Sequence, residues 1–154
     1  MPERSLLTDE VRAAIGRATD PIRVRLTPRV VARTMDVYLG HHEDVPAEGA
    51  EAPGFAIAGL ETESGSLELM DLMPNTLLIS NEWTFERPLI VGEEFEARTV
   101  LADISERFGG QFGYSLTVRT EVTFTDTTGA IAARGARTMM QYDAAGSRAS
   151  EEAT

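Results

Sequence analysis

The sequence contains no cysteine, and its 14 basic residues are all arginine, so it contains no lysine either. Without cysteine there is no disulfide framework, no zinc ribbon and no thiol nucleophile. Without lysine there is no P-loop phosphate anchor and no amine for a Schiff base. Positive charge is scarce overall: 25 acids face the 14 arginines, giving a formal net charge of −11. Nucleic acids and anionic membranes attract cations, so neither is an expected partner. Long apolar runs are also missing, and none approaches the ~18 residues of a membrane span. The opening MPERSLLTDEV has no apolar stretch of the kind a secretory signal carries, so the expected location is cytoplasmic.

The shortage of positive charge has an address. No arginine lies between Arg33 and Arg87. That interval holds 11 acids: Asp36, Glu43, Asp44, Glu48, Glu51, Glu61, Glu63, Glu68, Asp71, Glu82 and Glu86. It accounts for the whole net charge, because the remaining 25 − 11 = 14 acids balance the 14 arginines.

The 154 residues suit one domain. Residues 1–142 are expected to fold as that domain, and the small, polar stretch 143–154 to be a disordered tail. Thr8 can cap a short helix carrying Val11, Ala14 and Ile15. Ile22–Leu26 alternates like a strand. Thr27-Pro28 is a helix start, with a capping hydroxyl before proline, and Gly40 is the stop. Residues 41–54 read as a loop. Glycines 54, 59 and 65 each weaken a long helix by about 1 kcal/mol, so only helical pieces are expected near 55–61 and, capped by Ser66, near 67–72. From residue 77 the period changes to two. Leu77–Glu86, Glu93–Glu106, Phe112–Phe124 and Ala130–Tyr142 read as four long strands, the last three antiparallel neighbours by their short connections. A 13-residue strand would run ~43 Å at ~3.3 Å per residue, so strands this long must curve around the helical segment. The expected class is α+β.

The stretch Glu82-Trp83-Thr84-Phe85-Glu86-Arg87-Pro88-Leu89-Ile90-Val91-Gly92-Glu93-Glu94-Phe95 resembles the MaoC-like hydratase/dehydratase superfamily, in particular the N-terminal type of the FAS1-like dehydratases. Ile15-Gly16, Leu39-Gly40, Ala102-Asp103-Ile104, the glycines at 109–113 and Ala133-Arg134-Gly135-Ala136-Arg137-Thr138 extend the resemblance over about residues 15–142. It implies a hot-dog fold, a long curved antiparallel sheet wrapped around a central helix, here a helix open to interruption by its glycines.

Relatives of this kind carry a Gly-Asp-x-Asn-Pro-x-His motif after the first helix, whose Asp and His activate water, or the substrate hydroxyl, at an enoyl thioester. In this chain Gly40 matches the motif glycine, but His41 takes the aspartate position, Glu43 the asparagine, Asp44 the proline and Pro46 the histidine. The resemblance therefore implies a non-catalytic subunit of an enoyl-CoA hydratase or 3-hydroxyacyl dehydratase. It would shape the acyl pocket of a motif-bearing partner and need no cofactor or metal. An acyl-CoA or acyl-carrier thioester is the implied substrate. The partner is a catalytic MaoC-like subunit or a second copy of the chain. Two alternatives remain open. One is a self-sufficient homodimeric hydratase or thioesterase, with Glu61, Glu63 or Glu68 directing water. The other is an acyl-thioester binding module without catalysis.

Candidate residues follow from these readings. His41 and His42, with Asp44 or Glu43 as orienter, are the acid/base candidates, set against two solvated histidines at a helix C-terminus. Phe55, Asn81, Trp83 and Phe85 are candidates to line an acyl pocket, although core packing alone accounts for the aromatics. Arg87 is the phosphate candidate. Arg119, Arg134 and Arg137 are read as an outer-face set paired with Glu121 and Glu96. Met70, Met73, Met139 and Met140 are read as core filling.

Overall fold

A computed structural model describes residues 4–65, 67–68 and 71–145. Two capped helices frame the start of the chain. In α1 (Asp9–Ala13) the Thr8 hydroxyl accepts the Val11 N–H. In α2 (Pro28–Leu39) the Thr27 hydroxyl accepts the Val30 N–H, Pro28 opens the first turn and Gly40 closes it with φ 77°. The left-handed φ is the reason glycine stands at that stop. Strand β1 (Ile22–Arg25) lies between the two helices in sequence. After the loop a 3-10 turn (Gly54–Ala56) runs into α3 (Ile57–Glu63). The expected helix at 67–72 does not form where it can be described: Leu67, Glu68, Asp71 and Leu72 are not helical, and Ser66, Leu69 and Met70 lie outside the described residues. Leu67 and Leu72 instead pack against a cluster of Leu7, Val11, Leu101, Ile104 and Val118.

The four long strands are β2 (Asn75–Phe85), β3 (Glu94–Arg107), β4 (Ser115–Thr125) and β5 (Ile131–Tyr142). They form one antiparallel sheet in the order β1-β3-β4-β5-β2. Register shifts at Leu78/Ser80, Leu101/Asp103 and Phe124/Thr125 mark where the long strands bend. The concave face holds α3, and the main core fills the space between: Leu26, Val31, Ala56, Ile57, Leu60, Phe95, Phe124 and Ala133 are all essentially inaccessible. Phe95 and Phe124 meet edge to face at 6.4 Å. Strand β4 buries Leu116, Val118, Val122 and Phe124 as its alternation predicts, but its other side is half-covered rather than fully wet. Phe112, read as the first residue of that strand, precedes it.

Strand β2 is the exception to burial. Among the described residues it is an edge strand paired only to β5, and Leu77, Leu78 and Ile79 stand 44%, 51% and 52% exposed. At the start of β2 Ala144 donates its N–H to Asn75 Oδ1, while residues 146–154 of the expected tail lie outside the described residues.

Candidate functional site

The loop after α2 contains the acid/base candidates, and all three face solvent. His42 Nδ1 sits 2.9 Å from Asp36 Oδ1. The Glu43 N–H donates to His41 Nδ1 at 3.2 Å. Asp44 has φ 57°, a left-handed turn conformation that aspartate tolerates. None of the three lines the concave side of the sheet.

The pocket candidates fall differently. On β2, Asn81, Trp83 and Phe85 alternate onto the face towards α3, opposite Arg137, Gly135 and Ala133 of β5. Phe55 joins them from the 3-10 turn, stacking on Tyr38 at 5.2 Å, and Tyr38 meets Trp83 edge-on at 6.0 Å. The Phe85 ring lies beside Gly54. Tyr38 is the member that its sequence position does not single out, because helical spacing marks it only as apolar.

Arg87 belongs elsewhere. Its guanidinium donates to both oxygens of Glu93 at 2.7 and 3.0 Å and to Asp126 Oδ2 at 3.2 Å. Glu93 also accepts the Ile90 N–H. The Asp126 carboxyl is held down at about 2, first by the Thr128 hydroxyl and then by Arg87 and the Thr128 and Ala130 N–H groups. These bonds tie the β2–β3 connection to the β4–β5 hairpin, and they occupy the arginine that was the phosphate candidate.

At the centre of the concave face stands Glu61. Its side chain is 7% exposed. Trp83 Nε1 donates to Glu61 Oε1 at 2.6 Å, and Arg137 Nη2 donates to Oε2 at 3.2 Å. Arg137 thus leaves the outer-face set. Arg119 does pair outside, with Glu121 and Glu82, and Arg134 with Glu86. Of the three acids named for a thioesterase, Glu63 is exposed and 3.7 Å from Arg33, and Glu68 is exposed. Of the three, Glu61 is the one bonded to side chains of the sheet.

Burial pushes the Glu61 carboxyl above its ordinary range, against the opposing pull of Trp83, Arg137 and Asn81. A folded-state value above the unfolded one means that the folded chain holds the proton more tightly. The associated stability is full below the unfolded value of about 4.5 and is lost as pH rises through the folded one. Glu61→Gln approximates the protonated acid. Urea unfolding from pH 4 to 8 is expected to show the variant gaining on the parent as pH rises. A constant difference across that range contradicts an environment hostile to the charge.

Beside Glu61 a cleft of about 180 Å³ opens between the end of α3 and the sheet, bounded by Ser64, Leu67, Thr99, Thr120, Arg137 and Met139. Among the described residues no three His, Asp or Glu side chains gather to hold a metal ion. No helix among them is long and apolar enough to cross a membrane.

No protein-family model matches the sequence, and no curated protein matches it. Solved structures do. The HadBC 3R-hydroxyacyl-ACP dehydratase complex of Mycobacterium tuberculosis shares 16% identity over 88% of this chain and 99% of that one, with a TM-score of 0.61. The ChsH1–ChsH2 complex of the same organism shares 12% over 87% and 92%, at 0.62. A MaoC-like dehydratase from Rhodospirillum rubrum shares 15% over 84% and 92%, at 0.57. With five antiparallel strands in the order 1-3-4-5-2 curved around α3, the chain has the hot-dog fold of these MaoC-like dehydratases.

Proposed function

We propose that this chain is the non-catalytic half of a two-hot-dog hydratase or dehydratase of the MaoC-like type, acting on acyl thioesters in the cytoplasm. The observation that carries the reading is the state of the loop after α2. His41, His42 and Asp44 are solvated, and His42 is spent on Asp36, so no acid/base pair faces the concave side from there. A partner supplies that pair. Its docking place is the free edge of β2, whose backbone lacks a neighbour and whose Leu77, Leu78 and Ile79 are exposed. Two of the structurally similar proteins, HadBC and ChsH1–ChsH2, are complexes of unlike chains.

Charge supports a division of labour. Coenzyme A and acyl carriers present phosphate, which arginine and lysine recognise. Residues 41–73 hold eight of the interval's 11 acids, and Arg87 is engaged with Glu93 and Asp126. The phosphate is therefore held by the partner, and the acidic surface helps choose one with basic charge. The test is hydration of crotonyl-CoA and longer enoyl-CoAs by the purified chain, alone and mixed with a motif-bearing hot-dog chain encoded beside it. Turnover is expected only from the mixture. Robust hydration by the single chain refutes the non-catalytic assignment.

A second reading, a self-sufficient homodimeric hydratase or thioesterase, draws on Glu61. A buried carboxyl with a raised pKa beside a cleft is suited to steering water. If the chain alone turns over a thioester, Glu61→Gln decides between the readings. Loss of that turnover assigns the chemistry to Glu61, and undiminished turnover removes this reading.

A further inference from the structure

The concave face is not uniformly apolar. One rung across the sheet reads Leu101, Thr120, Arg137, Asn81, and the next reads Thr99, Val122, Gly135, Trp83. Thr99 and Thr120 stand diagonally on neighbouring strands, and Thr120 is directly opposite Arg137. All three line the cleft beside α3. Apolar packing closes both sides of this belt: Ala97, Phe124 and Ala133 beneath α3, and Leu101, Ile104 and Val118 beneath α1.

Part of the belt's hydrogen-bonding capacity is unspent. Neither the Thr99 nor the Thr120 hydroxyl makes a side-chain hydrogen bond among the described residues. Arg137 gives one N–H to Glu61 Oε2, and a guanidinium has five. Glu61, fixed by Trp83, holds that arginine against the sheet. The roughly 180 Å³ of space has room for several waters. A plain alkyl chain entering there displaces water from three polar groups and returns no hydrogen bond. A chain carrying oxygen returns them.

We infer that this cleft receives the acyl group and selects one bearing a further oxygen function, hydroxyl or oxo, farther along the chain than the carbons at which a hydratase acts. The inference rests on the acyl-thioester reading above and names its substrate class. Thr99 and Thr120 are its specificity-determining residues, and Glu61 is a positioning residue acting through Arg137. Every group of the belt belongs to this chain, but the thioester's phosphate is assigned to the partner, so binding is measured by calorimetry on the full-length chain assembled with its motif-bearing partner. The probes are octanoyl-CoA, hydroxyoctanoyl-CoA isomers with the hydroxyl moved carbon by carbon from mid-chain to the end, and their oxo counterparts.

At least one oxygenated probe is expected to bind about tenfold more tightly than octanoyl-CoA. The double variant Thr99→Val, Thr120→Val keeps the shape of both side chains. It is expected to abolish that preference, bringing the oxygenated probes to the affinity of octanoyl-CoA for the same variant. Equal binding of plain and oxygenated probes overturns the inference and leaves the acyl-thioester reading standing. A preference that survives the double variant overturns it as well, by placing the selection elsewhere. Failure to bind any of the thioesters removes both.

Discussion

Replacing Gly59 with leucine is expected to cost about 3 kcal/mol of folding stability, the upper end of what overpacking a core costs. Gly59 lies in α3 where that helix crosses α2. A Cβ built there falls 2.5 Å from Val30 Cγ1, 3.0 Å from Thr34 Cγ2 and 3.5 Å from the Val30 carbonyl oxygen. Neither neighbour can turn aside. Both are β-branched residues in a helix, where χ1 is stiff. The Thr34 hydroxyl is also bonded to the Val31 and Val30 carbonyls at 2.8 and 3.3 Å. The helix must move instead, and moving it uncovers Ile57 and Leu60, which are wholly inaccessible. Alanine is the informative control. It recovers about 1 kcal/mol of helix propensity, so a small net loss still means that the clash is real. Urea unfolding followed by far-UV circular dichroism gives both numbers. If Gly59→Ala gains the full propensity term, α2 and α3 do not touch there.

The same glycine shows what the sequence could reveal about this fold. Read alone, Gly59 is a weak point in a helix, and the short 3-10 and α pieces at 54–63 agree. That it is also a contact between two helices is invisible locally, because α2 and α3 are separated by the loop. Capping was legible: Thr8, Thr27, Pro28 and Gly40 each act within a few residues of themselves. The long strands were legible through their period of two. The 67–72 stretch was not. Its leucines recur at a spacing that suits a helix, yet Leu67 and Leu72 are committed to α1 and the far ends of β3 and β4.

At the candidate site the limits have the same origin. Asn81, Trp83 and Phe85 alternate on one strand, so their shared face could be read from spacing. Arg134 and Arg137 are three residues apart on β5, which puts them on opposite faces of a strand, and grouping them together overlooked that parity. Arg137 consequently meets Glu61 across 76 residues of sequence. Which of Glu61 and Glu63 turns inward depends on the rotation of α3 against the sheet, and Glu68 lies beyond the end of that helix. That rotation is set by Gly59 on one side of the helix and by a second glycine on the other.

That second glycine, Gly135, supports the other large prediction. It lies on β5 opposite Trp83 on β2 and Val122 on β4. A Cβ there falls 2.5 Å from Glu61 Oε1, 3.0 Å from Val122 Cγ1 and 3.2 Å from Glu61 Cδ. A glutamate tip would ordinarily swing away at little cost. This one is pinned by the Trp83 indole and the Arg137 guanidinium, so displacing it breaks both bonds. Gly135→Ala is therefore expected to lose about 2 kcal/mol, although alanine in a strand interior by itself regains ~0.5–1 kcal/mol over glycine. Trp83 is the sole tryptophan, and its emission is expected to shift as the indole N–H loses its partner. The decisive comparison adds Glu61→Ala. Glu61→Ala alone leaves the indole and guanidinium unpaired at a cost of about 1–3 kcal/mol, but it also empties the space the new methyl group needs. The double variant is then expected to be more stable than the sum of the two single losses predicts, by at least ~1 kcal/mol. Strict additivity would mean that Gly135 serves only the backbone of β5. Coupling of the expected sign makes the glycine the seat of the Glu61 carboxylate, and through it of the arginine that faces the cleft.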